Sequence, residues 1–193
     1  MPRAGLTSSK VIDVAADIAD AESLGAVTLA RLAAQMGVRP PSLYKHVDGL
    51  DAVRRALSLR GLQAANLRLQ RATVGKARDE ALHAVAHTYW QFARERPGLY
   101  AASLLPTKPG DKESAAASDM LLGTLLAVLA GYGIKGEDAL HATRGLRAII
   151  HGFVSLDAAG GFRLKRDLDE SFNRLLAAFA RDLAERGTLV PPI

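Results

Sequence analysis

The run TLARLAAQMGVRPPSLYKHV, Thr28 to Val47, divides at Gly37-Val38 into two short helical segments. Thr28 has the side-chain oxygen of a helix N-cap, and Leu29, Leu32, Ala33 and Met36 then recur at i, i+3, i+4 and i+7, one face of a 3.6-residue period. Gly37 supplies the positive φ that closes a helix and turns the chain. Pro40 and Pro41 fall where first-turn amides lack partners anyway, so their fixed φ angles start a second helix at little cost. Leu43 and Val47 face inward from it. Arg39, Ser42, Tyr44, Lys45 and His46 project to the other side, and these side-chain types hydrogen-bond phosphate oxygens and base edges. The pattern predicts a helix-turn-helix.

With 193 residues, 49% hydrophobic and 23% charged, the chain suits one to two globular domains and is not disordered. It has no cysteine, which excludes disulfides, thiolate metal sites and cysteine nucleophiles and fits a reducing compartment. No secretory signal and no apolar run of about 20 residues is evident, so a cytoplasmic protein with no membrane partner is expected. The net charge of +5 is unevenly placed. Arg31, Arg39, Lys45, Arg54, Arg55, Arg60, Arg68 and Arg71 face only Asp48 and Asp51 between Leu29 and Arg71, the footprint of a polyanion binder or else a solvated basic helix face.

The rest of the chain reads as helix. Thr7 to Ser23 carries Val11, Val14, Ala15, Ile18 and Ala19 at helical spacing, and Leu50 to Leu69 forms a long fourth helix capped by Asp48. Further helices are expected over Lys76–Arg96, stopping before Pro97-Gly98, then Tyr100–Leu105, Glu113–Ala130, Glu137–Ala158 and Asp167–Glu185, the last stopping at Gly187. The fold class is all-α. The expected domains are a head over 1–50, a connecting helix over about 50–72, and a ligand-binding and dimerisation domain over 73–193. Leu146, Ile149, Ile150, Phe153, Val154 and Leu156 wrap more than one side of their helix. Such a helix is covered on two sides, either by a second copy, giving a homodimer through the last two long helices, or by one larger core.

Val11 to Val53, with LARLAAQMGV followed by PPSLYKHV, closely resembles the head of the tetracycline-repressor (TetR-like) family of bacterial transcription regulators. His151-Gly152-Phe153-Val154-Ser155-Leu156 with Gly160-Gly161-Phe162 resembles one subgroup of it more loosely. The resemblance implies a homodimer, a small-molecule pocket in each C-terminal domain and repression relieved by that effector. It also implies that Arg39, Pro40, Pro41, Ser42 and Lys45 approach bases, while Tyr44, His46 and Thr28 hold phosphates. Relatives often carry Ser or Thr at the position of Arg39 and a phosphate-gripping Lys at that of Leu50, so backbone grip is expected to shift to Arg54 or Arg55. From the residues themselves, Arg39 can pair with guanine and Pro40 can meet a thymine methyl. Tyr44 and His46 can donate to phosphate, or serve instead as a half-buried core aromatic and a helix-end cation.

Other chemistry is weakly signalled. Gly131-Tyr132-Gly133-Ile134-Lys135-Gly136 fits the letters of a dinucleotide fingerprint but follows a helix rather than a strand, and reads as a helix–helix turn. His83 and His87 with Glu80 share a face without a third ligand fixed by spacing, so packed or pocket-lining histidines are favoured over a metal site. No catalytic constellation is placed, and neither an enzyme nor a cofactor is expected. The residues expected to line an apolar ligand pocket are His87, Trp90, Tyr100, Leu104 and His151. The expected function is a sequence-specific repressor on a palindromic duplex operator, released by a small apolar effector. The alternative is a helical ligand-binding or protein-interaction module without specific DNA recognition.

Overall fold

The computed structural model describes residues 6–164 and 166–188, and the outer ends of the expected domains, 1–5 and 189–193, lie outside them. The fold is all-α, with eight α-helices among the described residues: α1 (Ser8–Ala21), α2 (Leu29–Met36), α3 (Gly49–Thr73), α4 (Arg78–Glu95), α5 (Pro97–Ser103), α6 (Lys112–Ala130), α7 (Gly136–Ala158) and α8 (Leu168–Thr188). Between α2 and α3 lies a short rod, the 3-10 helix Pro40–Lys45. Two compact units emerge, Met1–Ala64 with Glu95–Ser118, and Ala65–Arg94 with Asp119–Ile193.

In the first unit the Thr28 hydroxyl accepts from the Arg31 amide at 3.1 Å and starts α2. Gly37, at φ 65°, ends it. The Val38 amide then reaches back to the Ala33 carbonyl at 3.0 Å and that of Gly37 to Ala34 at 3.2 Å, a Schellman closure. The rod that follows is 3-10 rather than α-helical because its two prolines remove the first amide donors and a six-residue piece tolerates the tighter winding. So short a helix has no stability alone. Leu43, fully buried, and Val47 pin it to a core that includes Val27, Leu32, Val53 and Leu57. Each such Leu contributes about 1.5–3 kcal/mol by leaving water.

α4 stops before Pro97-Gly98 as expected, but the next helix begins at Pro97 itself rather than at Tyr100. Pro97 occupies the first helical position of α5, where its missing amide is harmless. Asp20 of α1 reaches over as the cap: Oδ1 accepts from the amides of Gly98 at 2.8 Å and Leu99 at 3.2 Å, and Oδ2 accepts from Arg96 Nε. A Cβ on Gly98 would overlap Ala19, and one on Gly61 of α3 would overlap the Leu99 carbonyl, so these two glycines let α5 sit against α1 and α3. The head is thus completed by a segment from much later in the chain.

The second unit is built on an aromatic cluster. Trp90 meets Phe153 and Phe172 edge-on at 5.0 and 5.1 Å between ring centroids, and Phe172 is fully buried. Gly131 to Gly136 forms the expected turn between α6 and α7, with Tyr132 buried and its hydroxyl donating to Asp79 at 2.7 Å. Gly187 does not end α8, which runs to Thr188. A Cβ there would overlap the Tyr132 carbonyl, so this glycine serves close approach rather than termination. By length and composition alone α6 could cross a membrane. Its charge-free part, however, is only the eleven residues from Met120 to Ala130, against the roughly 20 that a span needs.

Candidate nucleic-acid interface and ligand-binding residues

Residues of the helix-turn-helix that were expected at DNA point away from the core. Tyr44 is 61% exposed, which removes the half-buried aromatic reading, and Arg39, Pro40, Pro41, Lys45 and Thr28 are exposed as well. Ser42 and His46 are half-buried. Arg39 stands at the cap of the rod in extended conformation without a side-chain cap bond, so its guanidinium is not spent on the local backbone. Among the described residues no carboxylate pairs with Arg39 or Lys45. The rod therefore presents a guanidinium, an ammonium, a phenol and two ring-constrained apolar surfaces, with Leu43 and Val47 as its anchors.

Tertiary folding removes several other cations from the basic stretch. Arg31 is held by Glu22 at 2.7 Å and by Gln35, and Arg60 by Asp13 at 2.7 Å. Backbone grip was expected to shift to Arg54 or Arg55, and the second of these is already engaged within the fold. Its guanidinium forks onto both oxygens of Asp111 at 2.6 and 2.7 Å and also reaches Glu113 at 2.8 Å. Hydrogen bonds from Arg55 and then Ser114 hold the Asp111 carboxyl well below the usual carboxylate range, and the same contacts push the guanidinium further up. A phosphate would have to displace two carboxylates there. Arg54 is half-buried.

The five residues expected to line a ligand pocket are distributed differently. Tyr100 and Leu104 belong to the first unit, Tyr100 buried on α5 and Leu104 exposed just beyond it. His87, Trp90 and His151 belong to the second. His87 and Trp90 are neighbours at 6.0 Å; His87 Nε2 bonds Asn173 Oδ1 at 2.8 Å, and Trp90 Nε1 donates to Asp157 at 2.7 Å. His151 lies edge-on to Tyr89 at 5.9 Å. Burial, followed by the Arg147 charge, lowers its pKa to about 4, so the ring stays neutral at physiological pH. Burial raises that of Tyr89 to about 12. Sequence reasoning missed a cavity of about 490 Å³ in the second unit, which none of these five lines. Small residues on two helices, Gly123 and Ala127 on α6 with Ala81 on α4, were its only advance signal.

An outward-facing, proline-started rod behind a glycine turn defines a helix-turn-helix DNA-binding transcriptional regulator. The chain belongs to the tetracycline-repressor family: the family model described as "Tetracyclin repressor-like, C-terminal domain" matches residues 82–179. It is 40% identical to the uncharacterized HTH-type transcriptional regulator YobS of Bacillus subtilis (strain 168), over 94% of this chain and 95% of that one. It is 33% identical to the HTH-type regulator Rv0681 of Mycobacterium tuberculosis, over 96% of this chain and 85% of the relative. In fold it is similar to the solved structure of a protein of unknown function from Rhodococcus sp. RHA1, with a TM-score of 0.78 and 21% identity over 95% of this chain and 99% of that one. Regulators of this family bind DNA and small-molecule effectors and act as dimers.

Proposed function

We propose that the protein is a dimeric repressor of a palindromic operator in the cytoplasm, released by a small apolar effector bound within residues 73–193. The carrying observation is the exposure of Tyr44 beside Arg39 and Lys45 on a rod whose one fully buried side chain is Leu43. A head kept merely as scaffold gains nothing from leaving these groups in water. In this reading Arg39, Pro40, Pro41, Ser42 and Lys45 meet base edges, and Thr28, Tyr44 and His46 hold phosphates. The dimer forms through α7 and α8, on which Leu140, Leu156 and Leu175 are 43%, 51% and 40% exposed. Two rods about 34 Å apart then address successive turns of one duplex face, and an effector that changes their separation breaks one of two groove contacts. His87, Trp90 and His151 are the candidate effector contacts in the second unit, and Trp90, the sole tryptophan, supplies a fluorescence report.

Selection of bound sites from a random duplex pool tests the reading. Recovery of an inverted repeat with steeply salt-dependent affinity is expected. Retention no better than that of competitor DNA would overturn it.

A further inference from the structure

α6 carries no charge from Met120 to Ala130, yet only 28% of its most apolar 18-residue window is buried. Met120 is 59% exposed, and Gly123, Ala127 and Ala130 continue the same open face. Such a face on a soluble fold calls for an occupant. Beside it lies the cavity of about 490 Å³, walled by α6, the end of α3 and the start of α4. Its floor is open because of one residue: a Cβ built on Gly123 would meet nothing within 4 Å. Ala77, Ala81 and Ala127 keep the walls low, and Met120 with Val74, 76% exposed, forms the rims. No aromatic side chain lines it.

The polar groups at one end define the headgroup. Thr73 Oγ1 donates to the carbonyl of Leu69 at 2.9 Å, and Thr124 Oγ1 donates to Asn66 Oδ1 at 2.8 Å. A hydroxyl has one proton, so each can offer a ligand only lone pairs. Lys76 Nζ donates to the Ala72 carbonyl at 2.9 Å, where its charge offsets the negative end of α3. No carboxylate lines the cavity. A cationic head would meet the Lys76 ammonium, and an anionic head could take that ammonium's two remaining protons only while crowding the Leu69 and Ala72 carbonyls and the threonine oxygens. A hydroxyl can donate to a threonine oxygen while accepting from the Gln70 amide.

We propose that this groove is a binding site for a neutral aliphatic amphiphile, its chain along Gly123 and Ala127 and its hydroxyl among Gln70, Thr73 and Thr124. The volume suits a small ligand, since pockets for such molecules span about 300–1,000 Å³. A second protein is a poor fit. A compact space of this size has a wall of roughly 300 Å², against the ~800 Å² per partner of a stable interface.

The probe is octanol, compared with octanoate and octylammonium, titrated into the full-length protein labelled with ¹³C at the methionine methyls. The chain has three methionines, and Met120 alone lines the groove. Octanol is expected to shift the Met120 signal saturably while Met36 stays still, with at least tenfold weaker binding of both ions. Gly123→Phe, whose Cβ would meet nothing within 4 Å, puts a ring on the floor and is expected to abolish the shift; Ala127→Leu does so independently should that variant fold poorly. An unmoved Met120 signal, equal affinity in both filled variants, or an ion that binds as well as octanol would overturn the assignment. A change of sedimentation in the filled variants without octanol binding to wild type would overturn it in favour of a protein occupant. Because the Met120 signal is read without DNA, failure here leaves the repressor reading standing.

Discussion

Replacing Asp20 tests whether the reading head depends on a helix that arrives more than seventy residues later. The Asp20 carboxylate, 16% exposed, satisfies two first-turn amides of α5, Gly98 and Leu99, and holds Arg96, which is 38% exposed. Loss of a side-chain N-cap costs about 0.5–2 kcal/mol. The ion pair adds roughly 0–1 kcal/mol, because a partly exposed guanidinium recovers water when its partner leaves. Asp20→Ala is therefore expected to cost about 0.5–3 kcal/mol in urea denaturation followed by helical circular dichroism. At roughly 2–4 °C per kcal/mol for a chain of this size, its melting point should fall by about 1–12 °C. Asp20→Asn keeps an acceptor for both amides and should lose about 1 kcal/mol or less. Hydrogen exchange localises the effect, with protection lost at Gly98 and Leu99 in the alanine variant and retained in the asparagine variant. Stability within about 0.3 kcal/mol of wild type for Asp20→Ala, or equal damage from both substitutions, would refute the capping argument.

Fluorescence anisotropy on a selected operator should show Arg39→Ala losing about 1–3 kcal/mol with relaxed preference at one base pair, and Lys45→Ala losing about one unit of salt slope; unchanged affinity in both would contradict the interface assignment. Gly187→Ala should destabilise by about 1–3 kcal/mol despite alanine's better helix propensity, because its Cβ overlaps the Tyr132 carbonyl, and a raised melting point would show that the approach is not tight. His151 titrates near 4 when folded and near 6.5 when unfolded, so the unfolded chain binds the extra proton between these values. Its contribution is complete above pH 6.5 and lost as pH falls toward 4, at most about 3 kcal/mol, and a His151→Gln variant with the same pH profile would remove that explanation.

Helix identities and the recognition element could be read from local pattern. The Thr28 cap, the Gly37 closure and the Pro40-Pro41 start each act within one turn of chain, so neighbouring residues decide them. The same locality misled at two places. Pro97-Gly98 ends one helix as its residues suggest, but the next was expected only from Tyr100 until Asp20 is seen capping it at Pro97, and Gly187 looks like a stop until Tyr132 is seen against it. Nothing within a few residues of either position signals its partner.

Period, caps and turn residues, all short-range, settled by themselves that the chain is all-α and that a polar rod follows a glycine turn. Only the fold decided which cations remain available to a polyanion. Along the chain Arg31, Arg55 and Arg60 belong to a basic stretch, but in space Glu22, Asp111 with Glu113, and Asp13 neutralise them and leave Arg39 and Lys45 outward. Ion pairing depends on distances of a few ångströms between residues tens of positions apart, and those distances exist only once the helices have packed.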